Sequence, residues 1–192
     1  MAVQVPVQFQ MKRRRFTVDE YYRMSEAGIL GAAERVELVA GDIVEMSPIG
    51  PRHGGTVLRV NWLFGQRFGD VALTNIQNAL RLDAHSEPQP DAVLLRPRPD
   101  FYTLSHPTPA DVLLVVEVAD SSIETDRRVK LPSYARVGIP ESWLVDLVQD
   151  EVLVHRDPGP TGYRAVRTLQ RGDKLAPLAF PGRELAVTDI LG

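Results

Sequence analysis

Residues 112–118 read VLLVVEV, and no other stretch restricts the possible folds of this chain so tightly. The run is nearly continuous in apolar, largely β-branched residues and has the length of a strand, the pattern of a central strand covered on both faces. Glu117 interrupts it. An ionised carboxylate in such a place costs several kcal/mol or more unless it is compensated, so Glu117 must be paired, coordinate a metal or shift its pKa. Upstream, EPQPDAVLLRP sets Asp91 at the mouth of a second apolar strand, Ala92 to Leu95, with Pro90 before it because proline cannot donate to a central ladder. Paired side by side, the two strands bring Asp91 and Glu117 together at one end of a sheet.

The flanking chain reads as elements around that sheet. MAVQVPVQFQ alternates as an edge strand would, and MKRRR makes a short basic patch whose plainest role is a solvated terminal segment. Thr17 and Glu20 have capping-box spacing and Gly28 sits at a stop, which predicts a helix from about Val18 to Ala27. RVELVAGDIVEMSP predicts a hairpin with Gly41 in its turn and Glu37 and Glu45 in its strands. Val57, Val60, Leu63 and Phe64 share one face of a helix over about Gly55 to Phe68, with His53 near its start, where a surface or capping role is the ordinary one.

The chain from Ala72 to Asp83 reads as a strand, and RPDFYTLSHPTPAD as an exposed connector rich in proline. Beyond Glu117, Asp126, Lys130 and Tyr134 are four apart and lie on one face of a continuous helix. Pro132 argues for two pieces instead, the second starting near Pro132 and stopping before Gly138, with Lys130 just outside its N-terminus. Trp143 to Val145, a turn at Gln149-Asp150, and Val152 to Val154 form a strand pair, and the tail adds another strand and turns.

The length, 44% hydrophobic and 24% charged, suits one globular domain with a sizeable core. No apolar stretch approaches the ~20 residues of a membrane helix and no signal-peptide pattern opens the chain, so a soluble, cytoplasmic protein is expected. The absence of cysteine excludes disulfides and thiolate zinc sites. The four histidines, His53, His85, His106 and His155, share no metal-ligand spacing. Any metal therefore falls to oxygen donors or to those histidines, and carboxylates suit hard ions such as Mg²⁺ or Mn²⁺. There is no dinucleotide fingerprint, Walker loop or internal repeat. A net charge of −3 does not advertise nucleic-acid binding.

The ordered series ELVAGDIVEMSP, HGG, PQPDAVLL, VVEVADSS, K-LPSYA and GIPESWLVD resembles the Uma-type family of restriction-endonuclease-like proteins in the PD-(D/E)XK nuclease superfamily, over about Phe16 to Leu191. Each fragment alone is weak; the order is specific. The resemblance implies an α/β (α+β) restriction-endonuclease-like core, a mixed central sheet flanked by helices with additional β-hairpins, formed by residues 16–192 behind a 1–15 extension. It implies that Asp91 and Glu117 bind a divalent metal, with a lysine beside them, and that Glu37 faces the site. The superfamily places that lysine two residues after the second acid, yet Ala119 stands there. The resemblance suggests Lys130 in its stead, with Arg127 and Arg128 as competitors.

Phosphodiester hydrolysis needs an in-line water, a means of deprotonating it and compensation for charge on phosphorus and the leaving oxygen. On this reading the chain is a divalent-metal-dependent DNA endonuclease in which Lys130 orients the water or neutralises a phosphoryl oxygen. A homodimer is expected because two cuts across a duplex require two sites. The alternatives are a catalytically silent nuclease-fold binding or assembly protein and a hydrolase of smaller phosphoesters. For the endonuclease, Lys12, Arg13, Arg14, Arg15, Arg52, Arg96, Arg98, Arg127 and Arg128 are expected to line one basic side. Each residue also has a plainer role: Asp91 a turn cap, Glu37 an exposed strand residue, Lys130 a helix pair with Asp126 worth ~0.3–0.5 kcal/mol.

Overall fold

The computed structural model describes residues 13–31, 33–120 and 123–192, so the edge strand expected at the amino terminus, with Met11 and Lys12, lies outside it. Six strands form the central sheet in the order β3-β4-β5-β6-β7-β8. They span Leu73–Ile76, Ala92–Leu95, Val112–Ala119, Glu141–Asp146, Glu151–Gly159 and Gly162–Gln170. Only β5 and β6 run parallel, with Glu117 beside Leu144; every other neighbouring pair is antiparallel, so the sheet is mixed. All eight residues of β5 are buried, as its unbroken apolar run requires.

Each face of the sheet carries its own core. On one, α2 (Pro51–Phe68) lays Val57, Val60, Leu63, Phe64 and Phe68 against Leu94, Leu114, Val116 and Val118. On the other, α4 (Leu131–Arg136) sets Leu131 and Tyr134 against Val93, Leu95, Val115 and Leu144. The period-2 alternation of strand side chains divides β4 and β5 between these two cores, each fully buried residue contributing about 1.5–3 kcal/mol. By the same alternation Asp91 and Glu117 belong to the α4 face. Ala92 pairs with Val116, so the next step of the antiparallel register sets Asp91 opposite Glu117.

The hairpin β1 (Val36–Val39) and β2 (Asp42–Glu45) turns through Ala40 and Gly41, both at positive φ, the geometry of a two-residue I′ turn. Helix α1 (Val18–Glu26) starts with the expected Thr17/Glu20 capping box, and Gly28 follows at φ 70°. Strands β9 (Lys174–Leu175) and β10 (Leu185–Ala186) and helix α5 (Val187–Leu191) complete the tail, where only a strand and turns were expected.

Three boundaries depart from the sequence reading. Helix α2 begins at Pro51, four residues earlier than the apolar face indicated, because Pro51 at its first position lacks only an N–H that would have no partner there. That shift carries His53 into the first turn. The strand expected over Ala72 to Asp83 is confined to β3: Gln77 takes φ 49° and turns its N–H to the carbonyls of Pro90 and Asp91. Finally, Pro132 does not separate two helices. A short α3 (Ile123–Thr125) passes into a π turn over Asp126–Lys130, closed by Leu131 N–H to Asp126 O, and α4 follows directly. The wider turn accommodates a proline that a regular helix interior would resist.

A carboxylate-lined candidate active site

The acids that the sequence singles out meet in one cavity of about 190 Å³, walled by the β1–β2 hairpin, the start of α2, the end of β5 and the π turn. Glu37, Asp91, Glu117, Asp126 and Lys130 all line it, as do His53, Gln77, Gln89 and Asp120. Glu37, Asp91, Glu117, Asp126 and Lys130 are each less than a tenth exposed.

Asp91 is held by three donors. Gln77 Nε2 lies 3.1 Å from Oδ1, while the N–H of Val118 (2.8 Å) and His53 Nε2 (3.2 Å) both reach Oδ2. The positive-φ turn at Gln77 and the early start of α2 are what aim two of these groups. The Asp91 carboxylate raises the His53 pKa, against the opposing effect of burial. Among the described residues, the buried His53 Nδ1 has no hydrogen-bond partner. The expected surface or capping role of His53 is thus overturned.

Glu117 accepts a 2.6 Å hydrogen bond on Oε1 from Tyr134, one turn along from Lys130. Burial pushes its carboxyl well above the usual range; Lys130 opposes this, Asp126 and Asp91 add to it, and Tyr134 opposes it. Burial and the Glu117 charge keep Tyr134 protonated, as a donor must be. The charge expected to be costly at position 117 is therefore both paired and shifted.

Lys130 Nζ lies 3.0 Å from Glu37 Oε1, 3.6 Å from Glu117 Oε1 and 3.9 Å from Asp126 Oδ1. Burial favours a neutral amine, but the carboxylates of Glu117, Glu37 and Asp126 outweigh it and hold the ammonium charged. Glu37 is itself oriented by the backbone N–H of Gln89, 2.9 Å from Oε2. Its plainer reading as an exposed strand residue fails, since it is buried. Arg127 and Arg128 point elsewhere, to Asp146 at 3.4 Å and Glu124 at 2.6 Å, and neither lines the cavity.

Oxygen donors on Glu37, Asp91, Glu117 and Asp126 suit a hard divalent ion. Among the described residues, however, no three His, Asp or Glu side chains converge into a ready metal-binding group. The ammonium of Lys130 stands among three of the acids instead. Asp91 and Glu117 are the residues that would hold an ion at the sheet end.

Among the described residues, the basic side expected of a DNA-cleaving protein is not assembled around the cavity, where Arg35 and Lys130 are the two Lys or Arg residues of the lining. Arg14, Arg52 and Arg98 are ion-paired with Glu20, Asp150 and Asp100. Among the described residues no helix is long and apolar enough to cross a membrane.

Residues 18–188 match the family described as "Uma2: Putative restriction endonuclease". No curated protein matches the chain in sequence. Among solved structures, a crystal structure described as a "putative nuclease belonging to DUF820" from Anabaena variabilis is similar, with a TM-score of 0.71 over 92% of this chain and 97% of that one. The two are 16% identical, so this likeness speaks for the fold.

Proposed function

We propose a nuclease function for this chain, which belongs to the Uma2 family: divalent-metal-dependent hydrolysis of DNA phosphodiester bonds, with Asp91 and Glu117 holding Mg²⁺ or Mn²⁺ and Lys130 positioning the water or phosphate. The observation that carries this reading is the meeting of Asp91, Glu117 and Lys130 in one cavity although the sequence lacks the E-x-K spacing. A side chain thirteen residues beyond Glu117 reaches it by way of the π turn.

A bound divalent ion supplies charge compensation at phosphorus and a more acidic water. The chain's own residues do the rest. Gln77, His53 and the Val118 N–H fix the Asp91 carboxylate, and Tyr134 fixes that of Glu117, so neither must reorganise when charge develops. Lys130, held charged, presents a cation to a phosphoryl oxygen or an N–H to the attacking water. Glu37 orients Lys130 from the far side. Residues 16–192 would act as one domain, consistent with two cores flanking one sheet, and as a homodimer whose two sites serve two strands. Light scattering that gives a monomer at all concentrations would remove the dimer.

A second reading, a nuclease-fold binding protein without turnover, is favoured by the acidic cavity and the ion-paired arginines. Incubating supercoiled plasmid with wild type and Asp91→Ala in Mg²⁺, Mn²⁺ or EDTA separates the two. Nicking that requires metal and vanishes in the variant supports the nuclease. Metal binding without nicking favours the binding protein or a smaller phosphoester.

A further inference from the structure

Lys130 is placed unusually for a residue meant only to face substrate. Its stem is buried and its ammonium stands within 4 Å of three carboxylates, Glu37, Glu117 and Asp126. Only the 3.0 Å contact to Glu37 is short enough to be a hydrogen bond; those at 3.6 and 3.9 Å are Coulombic. Withdrawal from Glu117 therefore breaks no hydrogen bond. Tyr134 and Lys130 both approach Glu117 at Oε1, so the tyrosine keeps the carboxylate in place when the lysine leaves.

Lys130 ends the π turn whose closing bond runs from Leu131 N–H to Asp126 O, and Pro132 follows with no N–H to give. Single π turns inside α-helices occur frequently at functional sites.

We infer that Lys130 is a built-in competitor of the divalent ion: its ammonium occupies the Glu37–Glu117–Asp126 cage in the metal-free protein and yields Glu117 when the ion enters. The inference rests on the proposed metal site and deepens it, since it makes Lys130 the residue that sets metal affinity. A lysine that has yielded Glu117 while keeping Glu37 is also the one free to turn toward a phosphate. Metal entry and the availability of the positioning cation are then one event.

The test is calorimetric titration of EDTA-stripped full-length protein with Mn²⁺, comparing wild type with Lys130→Met and Lys130→Arg. Removing the competing charge is expected to tighten Mn²⁺ binding at least tenfold in Lys130→Met, whereas Lys130→Arg, still cationic, gains nothing. Equal or weaker binding by Lys130→Met, or a gain in Lys130→Arg equal to that in Lys130→Met, overturns the inference and leaves the metal site standing. If neither wild type nor Lys130→Met binds Mn²⁺, the metal site fails and takes the inference with it. Should Lys130→Met not fold without metal, wild type serves alone: acetylation of Lys130, read by mass spectrometry, is expected to rise several-fold on adding saturating Mg²⁺. Unchanged labelling overturns the inference.

Discussion

Replacing Tyr134 by phenylalanine removes one hydroxyl from the least solvated part of the site. Tyr134 is fully buried and its ring packs in the core beneath α4, so Phe keeps the packing and opens no cavity. What is lost is the 2.6 Å bond to Glu117. A hydrogen bond to a charged group contributes about 1.5–3 kcal/mol and one between neutral groups about 0.5–1.5 kcal/mol, so the cost depends on whether Glu117 is ionised. Burial raises the folded-state pKa of Glu117 well above its unfolded value. The folded protein thus holds that proton more tightly than the unfolded chain, and stability falls as pH rises from the unfolded toward the folded pKa. The Tyr134 hydroxyl favours the ionised form, so deleting it lifts the folded pKa further and deepens the loss on the alkaline side. In EDTA, Tyr134→Phe is expected to cost about 0.5–1.5 kcal/mol at an acid pH where Glu117 is protonated, and about 1.5–3 kcal/mol at an alkaline pH where it has ionised. With roughly 2–4 °C per kcal/mol for a chain of this size, the alkaline melting point drops by roughly 3–12 °C. Urea denaturation at the two pH values gives the free energies and calorimetry the melting points. A cost independent of pH, or larger in acid, would refute the coupling of Tyr134 to an ionising Glu117.

Two further substitutions probe the scaffold. Leu114→Ala, in the middle of β5 and without exposed surface, is expected to cost about 2–5 kcal/mol by urea denaturation, and a cost under about 1 kcal/mol would contradict its place in a close-packed core. Burial, with Arg127 adding, pushes His155 down to about 4, and among the described residues its buried Nε2 has no partner. The unfolded chain therefore takes up that proton first, so stability present above ~6.5 is lost as pH falls toward 4. His155→Phe is expected to flatten that acid loss in urea melts between about pH 7 and 5; an unchanged slope would show that His155 does not contribute to it.

The parts of the site that were legible in sequence are those where one residue type breaks a strong pattern. Glu117 stood out because no solvated face exists in a fully apolar strand, and Asp91 because Pro90 fixed where β4 begins. The β1–β2 hairpin with Glu37 was legible from its alternation around Ala40-Gly41, and the mixed sheet from the resemblance. What escaped depends on contacts between distant segments or on backbone detail. His53 meets Asp91 across 38 residues, and only because α2 starts at Pro51. Gln77 acts through a positive-φ turn where a longer strand was expected. Tyr134 was legible as a helical neighbour of Lys130 but not as the donor to Glu117. The π turn was foreshadowed by Pro132 as a break, since proline signals strain in a helix without saying how the chain relieves it.

Anomalous scattering from crystals equilibrated with Mn²⁺ tests the central claim, that Asp91 and Glu117 hold the metal of a nuclease site, most directly. A peak within coordinating distance of both carboxylates, lost in Asp91→Ala, is the predicted result. Saturating Mn²⁺ that leaves this cavity without a peak, or a peak that survives in Asp91→Ala, would contradict it.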